Sequence, residues 1–81
     1  MSEEYFDGYL EGSAEGEIGF RERDYCLFMP TINHTIKLVN TRRFGYELTE
    51  FVEAKISGTL KYNKDNPHPV ALLITKIEEI K

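Results

Sequence analysis

Hydrophobic and polar residues alternate most regularly in the second half of the chain. From Ala54 to Tyr62 the even-numbered positions hold apolar residues, glycine or tyrosine, and the odd-numbered positions hold polar residues. Because successive side chains of a strand point to opposite faces, this alternation predicts a strand with one buried face. Gly58 falls on the buried side, where a glycine typically marks a bend, a bulge or the close approach of another backbone.

A polar loop and a second strand follow. Residues 63–69 contain two prolines, which donate no hydrogen bond to a sheet, so this stretch is predicted to be a loop. The run 70–77 is rich in β-forming residues and predicts the second strand of a hairpin. Isoleucines recur at every third position over 74–80, which indicates either a bulge near Thr75 or a short helical turn after the strand.

The period of the pattern changes just before Ala54. Leu48, Phe51 and Val52 stand at positions i, i+3 and i+4, so they share one face of a helix. About two helical turns are predicted over 46–53. This helix is entered through Gly45, and its apolar face is expected to fill the core.

A second hairpin is predicted in the middle of the chain. Residues 25–29 form an apolar run that ends at Pro30, which predicts a buried strand. Residues 31–33 form the turn. Residues 34–39 alternate again and are expected to pair with the preceding run.

The N-terminal region gives a weaker pattern. Residues 5–10 predict a first strand. The region 12–19 is rich in glycine and glutamate, and it predicts either a loop or an irregular continuation of that strand. Ile18 and Phe20 are expected to return to the core.

The resulting order of strand, strand, strand, short helix, strand, strand resembles the OB-fold, a partly open five-stranded Greek-key barrel. The resemblance is sharpest over 47–62, ELTEFVEAKISGTLKY, where the helical turn leads directly into the alternating strand. It covers that segment and the last strand in detail, and the rest by element order. The chain is therefore predicted to be mainly β and one domain over 1–81, with an SH3-like barrel or a small α+β fold as alternatives.

Composition restricts the class of protein. Cys26 is the one cysteine, which excludes a disulfide framework and a cysteine-based metal cluster. It lies in an apolar run and is expected to be a small buried hydrophobe. No apolar run approaches the length of a transmembrane helix, and the beginning, MSEEYFDG, lacks the regions of a signal peptide. We therefore expect a cytoplasmic protein that does not bind membranes.

The charge is unevenly distributed along the chain. Residues 1–24 hold eight acids and two bases, whereas residues 25–81 hold six acids and eight bases. One face of the fold is therefore expected to be acidic and another mildly basic. A dense carboxylate surface would also suit an acidic inhibitor that mimics nucleic acid, and this function is less favoured than binding a protein or a single-stranded nucleic acid.

Catalytic and metal-binding signals are weak. His34 and His68 have no partners at the spacing of a metal site, and the chain contains no HExxH, CxxC or calcium-loop motif. His68 lies between two prolines and is expected to be solvated. The glycines of the N-terminal region match no phosphate-binding loop. We therefore predict no enzyme activity, no cofactor and no metal.

The strongest candidate for a site is a basic–aromatic set at the ends of the third and fourth strands. In a barrel, some of these residues would share one surface, although Phe44 and Tyr46 would also suit a role in covering the barrel end. The set consists of Arg42, Arg43, Phe44, Tyr46, Lys61, Tyr62 and Lys64.

Two kinds of partner suit the basic–aromatic set. OB-folds bind single strands by stacking bases on aromatic rings beside basic side chains. The pI of about 5.1 argues against a dedicated nucleic-acid binder, whereas a protein partner would use the same arginine and tyrosine anchors. We therefore expect a non-catalytic protein–protein interaction module, with single-stranded nucleic-acid binding as the alternative. A small open sheet leaves strand edges unpaired, so a homodimer formed through such an edge is also considered.

Overall fold

The structure is a computed structural model that describes residues 4–80. Within this range the elements are β1 (Gly8–Arg21), β2 (Asp24–Met29), β3 (His34–Val39), a 3₁₀ helix (Thr41–Phe44), α1 (Gly45–Glu50), β4 (Glu53–Tyr62) and β5 (Ala71–Glu79). The five strands form one sheet that closes in a ring. The mainly β class, the five strands and the short helix between β3 and β4 are therefore confirmed.

The ring has the strand order β1–β2–β3–β5–β4, and β4 pairs with β1 to close it. Neighbouring strands are antiparallel except β3 and β5, which run parallel. β1 pairs with both of its neighbours: residues 8–17 face β4, and residues 17–21 face β2. A strand that changes partner along its length must bend, and β1 is rich in glycine where it does so.

The predicted hairpins are both present. β2 and β3 pair up to Met29 and His34, and the chain turns between them over 30–33. β4 and β5 pair along nearly their whole length and are joined by the predicted polar loop. The alternation in β4 is also confirmed, because Ala54 and Leu60 are buried on its inner face.

The bulge predicted near Thr75 lies at that residue. Ser57 is opposite Lys76, but Gly58 is opposite Ile74, so Thr75 is the extra residue of β5. Its hydroxyl donates a hydrogen bond to the carbonyl oxygen of Ser57 (3.2 Å). A Cβ at Gly58 would collide with the carbonyl oxygen of Leu73, so the strand needs a glycine here because of the close backbone approach.

The N-terminal region differs from the expected strand over 5–10. One strand of 14 residues runs from Gly8 to Arg21 and includes the whole glycine- and glutamate-rich region. Ile18 packs against the core as expected. Phe20 was expected in the core but is 63% exposed. The reason is that Phe20 lies beyond the start of β4, so β4 does not cover it, and the ring of the β2 residue Tyr25 packs edge-on against it at 4.9 Å.

The helix is shorter than the predicted two turns over 46–53. α1 ends at Glu50, and Phe51 is already extended (φ −85°, ψ 135°). Leu48 is buried as expected and Phe51 is half-buried, but Val52 is exposed. Val52 was expected in the core because helical spacing would place it there. Once Phe51 leaves the helical conformation, that spacing no longer applies.

The core lies inside the ring and is closed at one end by α1. Leu48 is the buried residue of the helix, and the hydroxyl of Tyr25 donates to Thr49 Oγ1 (3.4 Å), which in turn donates to the Gly45 carbonyl oxygen (2.6 Å). The strands supply the other buried side chains: Leu27, Met29, Ile36, Leu38, Ala54, Ile56, Leu60, Leu72 and Ile74. None of the helices within residues 4–80 has the length and apolar character needed to cross a membrane.

Candidate binding surface

The basic–aromatic set predicted from the sequence is divided between the two ends of β4. One group lies in the 3₁₀ helix and α1, which lead into the start of β4. The other group lies at the end of β4 and in the loop that follows. β4 has ten residues, and at the usual rise per residue its ends lie roughly 30 Å apart along the strand. The structure therefore does not bring the two groups together.

The first group contains two exposed arginines. Arg42 and Arg43 lie in the 3₁₀ helix that follows β3, rather than at the end of the strand itself. Tyr46 is exposed in α1, with its ring edge-on to Phe51 at 6.2 Å. Phe44 is half-buried and packs against the core, so its role is structural. Three side chains of this group are thus available to a ligand.

The second group is mostly engaged within the protein. Tyr62 packs against the core and meets the ring of Phe6 edge-on at 5.8 Å. The Lys61 ammonium lies 5.0 Å from the centroid of the Tyr9 ring, within the range of a cation–π contact. Lys64 is exposed, and its carbonyl oxygen accepts the Tyr5 N–H (3.0 Å).

A surface that was not predicted from the sequence lies on the outside of the ring. Its residues line a shallow cavity of about 220 Å³ across β1, β3, β4 and β5. Tyr9 is 65% exposed, and Val39 and Leu73 are each more than 40% exposed. We call this the outer apolar surface, and it consists of Tyr9, Val39, Ala71 and Leu73 with Thr59 and Lys61 beside them.

The outer apolar surface had a signal in the sequence. Residues 70–74 are apolar at every position, and β5 begins within this run at Ala71. A closed ring is a single layer, so only alternate residues of this run reach the core. Leu72 and Ile74 do so, which leaves Ala71 and Leu73 on the outside. In β3, Val39 likewise occupies an outward position that is polar elsewhere in that strand.

A second cavity, of about 250 Å³, lies beside the β1–β2 turn. Lys37 and Asp24 form an exposed ion pair across it (3.9 Å). Glu22 and Arg23 form the turn with positive φ (54° and 69°), which strains residues other than glycine. Cys26 was expected to be buried but is half-exposed here, because it faces outward between Gly19 and Lys37. The remaining lining residues are Arg21, Tyr25, Thr35 and Val70.

Two histidines lie together where the loop between β4 and β5 meets β3. The His34 and His68 rings are 5.4 Å apart. The His34 Nε2–H donates to the carbonyl oxygen of Pro69 (2.6 Å), which is buried. His68 was expected to be solvated but is half-buried, because its ring faces His34. The pair fastens the loop to β3.

Ionisable groups elsewhere form no cluster that suggests chemistry. Within residues 4–80 no three histidine, cysteine or acidic side chains are grouped to hold a metal ion. Lys76 and Glu78 form an exposed ion pair at 2.8 Å. The hydrogen bond from Lys76 lowers the pKa of Glu78 and raises that of Lys76. Both side chains lie in water, so this pair is a surface feature of β5.

Comparison of the chain with protein-family models, curated protein sequences and solved structures gives no match in any of the three.

Proposed function

We propose that this protein is a non-catalytic binding module that recognises another protein through the outer apolar surface. The observation that carries the proposal is the grouping of Tyr9, Val39, Ala71 and Leu73 around one cavity outside the core. Exposed apolar residues that occur singly need no explanation, but a contiguous set bordered by polar residues marks an interaction site.

The chemistry of the outer apolar surface suits a protein partner. It lies on four paired strands, so its backbone is held in place before binding, and little backbone entropy is lost on association. Tyr9 offers a large ring with a polar end, and tyrosine is common among residues that dominate binding energy. Lys61 places a cation at the border, beside the Tyr9 ring.

Single-stranded nucleic acid is the alternative ligand. Arg42, Arg43 and Tyr46 favour it, because they are exposed together on the 3₁₀ helix and α1 and combine cations with an aromatic ring. The net charge of −4 opposes it, since binding of phosphates usually requires a basic domain. These residues are also separated from Lys61 and Lys64, so these basic side chains do not form one long surface along which a phosphate backbone could lie.

We further infer that the ring is a barrel of the OB-fold type. The order β1–β2–β3–β5–β4, the parallel β3–β5 pair and the helix between β3 and β4 support this. The stagger of the strands adds support. Following the pairings around the ring from Gly19 returns to β1 at Tyr9, ten positions earlier, so the strands are strongly tilted. The residues along this path are Cys26, Lys37, Ala71 and Lys61.

A pair of matched variants tests the protein-binding proposal. Leu73→Ser removes an apolar side chain from the centre of the outer apolar surface, whereas Val52→Ser removes an exposed one outside it. A partner captured by the native protein is purified, and its affinity for each variant is measured by calorimetry. We expect Leu73→Ser to weaken binding about tenfold or more, a loss of roughly 1.4 kcal/mol, and Val52→Ser to bind like the native protein.

Equal affinity of Leu73→Ser and the native protein for the purified partner would contradict the proposal. Titration of a labelled oligonucleotide at two salt concentrations tests the alternative. Binding that falls steeply with salt and is lost in the double variant Arg42→Ala/Arg43→Ala would favour nucleic acid instead.

A further inference from the structure

The first half of β1 has one edge without a neighbouring strand. Residues 8–17 pair with β4 on one side, but pairing with β2 on the other side begins only at Glu17. The Ile18 N–H donates to the Val52 carbonyl oxygen on the β4 side (2.9 Å). Residues that bond a given neighbour alternate along an antiparallel strand. The even-numbered residues of β1 therefore bond β4, and the backbone groups of the odd-numbered residues 9–15 face away from it.

No hydrogen bond among residues 4–80 reaches these outward backbone groups. We call them the free β1 edge, and they belong to Tyr9, Glu11, Ser13 and Glu15. An open row of donors and acceptors is a template on which another extended chain can pair.

The side chains next to the free β1 edge are also uncovered. Leu10 lies opposite Leu60 in β4, so both project to the inner side of the sheet. Leu60 is 6% exposed, whereas Leu10 is 50% exposed. The difference arises because Leu10 has a neighbouring strand on one side only. A strand added to the free β1 edge would place its own inward side chains against Leu10.

Two of the outward side chains of this segment are acidic. Glu11 and Glu15 lie on the outer face, as does Tyr9. Across β4 they face Thr59 and Lys55, and neither glutamate takes part in the ion pairs described within residues 4–80. Two carboxylates on one face of an edge strand favour a neighbour with cations at the matching positions.

We propose that the free β1 edge accepts an extended basic segment of a partner protein as a sixth strand. The segment would alternate lysine or arginine, beside Glu11 and Glu15, with apolar residues, beside Leu10. This inference rests on the proposed function as a protein-binding module and specifies the class of partner segment. Backbone hydrogen bonds would supply affinity, and the alternating side chains would supply specificity.

A second copy of this chain fits the free β1 edge less well. Antiparallel pairing of two β1 strands would bring the carboxylates of Glu11 and Glu15 from both copies near each other. Like charges on neighbouring strands are destabilising. The charge pattern therefore opposes a homodimer at this edge and favours a basic partner.

A short peptide of alternating lysine and valine is the probe. We expect it to bind at low salt and to slow amide exchange of Glu11 and Ser13 about tenfold or more at saturation, as measured by NMR. A peptide with glutamate in place of lysine should leave these amides unchanged. The measurement needs no native partner, so its outcome is separate from that of the Leu73→Ser experiment.

Two variants locate the binding. Ser13→Pro removes an N–H that faces away from β4, so it blocks the free β1 edge without breaking a bond of the ring. Glu11→Gln with Glu15→Gln removes the charges and leaves the backbone intact, which keeps the test valid if Ser13→Pro does not fold. We expect each to weaken peptide binding by about tenfold or more, whereas Val52→Ser, which changes an exposed residue outside both surfaces, should bind the peptide normally.

Three results would overturn the inference. One is no change in the β1 amides at low salt with excess peptide. Another is unchanged affinity in a folded Ser13→Pro variant and in the Glu11→Gln/Glu15→Gln variant. The third is a stable dimer, detected by sedimentation, in which the β1 amides are already protected without peptide.

Discussion

The glycines of this protein differ in how closely other atoms approach the position of the missing side chain. A Cβ at Gly58 would meet the backbone of Leu73, which no rotamer change can relieve, whereas a Cβ at Gly45 would meet nothing within 4 Å. Gly45 is also helical (φ −56°, ψ −40°), a conformation that alanine prefers. We therefore expect Gly58→Ala to lower the free energy of unfolding by at least about 2 kcal/mol, and Gly45→Ala to raise it by about 0.5–1 kcal/mol.

Urea unfolding followed by circular dichroism measures both changes at the glycines. Gly45→Ala is the control for Gly58→Ala, since both add one methyl group. A small effect of Gly58→Ala would show that β4 and β5 can separate locally at the bulge, and it would contradict the close approach described here.

Among the secondary-structure elements, the sequence correctly predicted those whose apolar positions hold large side chains. The predictions of β4 and of the two hairpins were correct because large apolar residues alternate or cluster within these elements. The prediction of β1 was incomplete although its sequence also alternates. Its even-numbered positions over 12–16 hold glycine or alanine, which are too small to give a clear hydrophobic pattern. At Gly16 a Cβ would collide with the Phe28 backbone, so this position must be small because β2 approaches it closely.

The helix provides a prediction at the same scale. Leu48 is 3% exposed and fills the end of the ring, whereas Val52, also expected in the core, is exposed. We expect Leu48→Ala to lower the free energy of unfolding by about 2–5 kcal/mol, because it leaves a cavity that the strands cannot fill. Val52→Ala should change it by no more than about 0.5 kcal/mol.

Thermal unfolding of the two alanine variants measures this difference. Similar small losses for both would mean that α1 lies over the ring without contributing to its core. Similar large losses would mean that Val52 is buried and that the helix extends further than Glu50.

For the molecule as a whole, the position of each surface depends on pairings between distant parts of the chain. The outer apolar surface joins β1 to β3 through β4 and β5. The basic–aromatic set was grouped by chemical type, but its residues lie near opposite ends of β4. Pattern along the chain predicts which residues share a strand face, but the order of strands around the ring decides which strands are neighbours. Tyr9 shows the consequence, since it belongs to both the outer apolar surface and the free β1 edge.

Closure of the ring also depends on a small number of distant contacts. β3 and β5 pair through three residue pairs, whereas β1 and β4 pair through ten. Next to this short ladder, His34 donates to the Pro69 carbonyl oxygen, and the Lys37 N–H donates to the Val70 carbonyl oxygen (3.2 Å). The seam between β3 and β5 is therefore expected to open before the rest of the sheet unfolds.

His34→Ala tests the role of the histidine in closing the ring. It leaves the buried Pro69 carbonyl oxygen without its partner, so we expect a loss of about 1–3 kcal/mol in the free energy of unfolding. His68→Ala removes a ring contact but keeps the His34 hydrogen bond, and its effect should be smaller. Hydrogen exchange should show the Lys37 amide losing protection in His34→Ala before the β4-bonded amides of β1 do. Equal loss of protection at Lys37 and at the β1 amides would instead show that the ring opens as one unit. The pairing of β3 with β5 would then be no weaker than the other strand pairings.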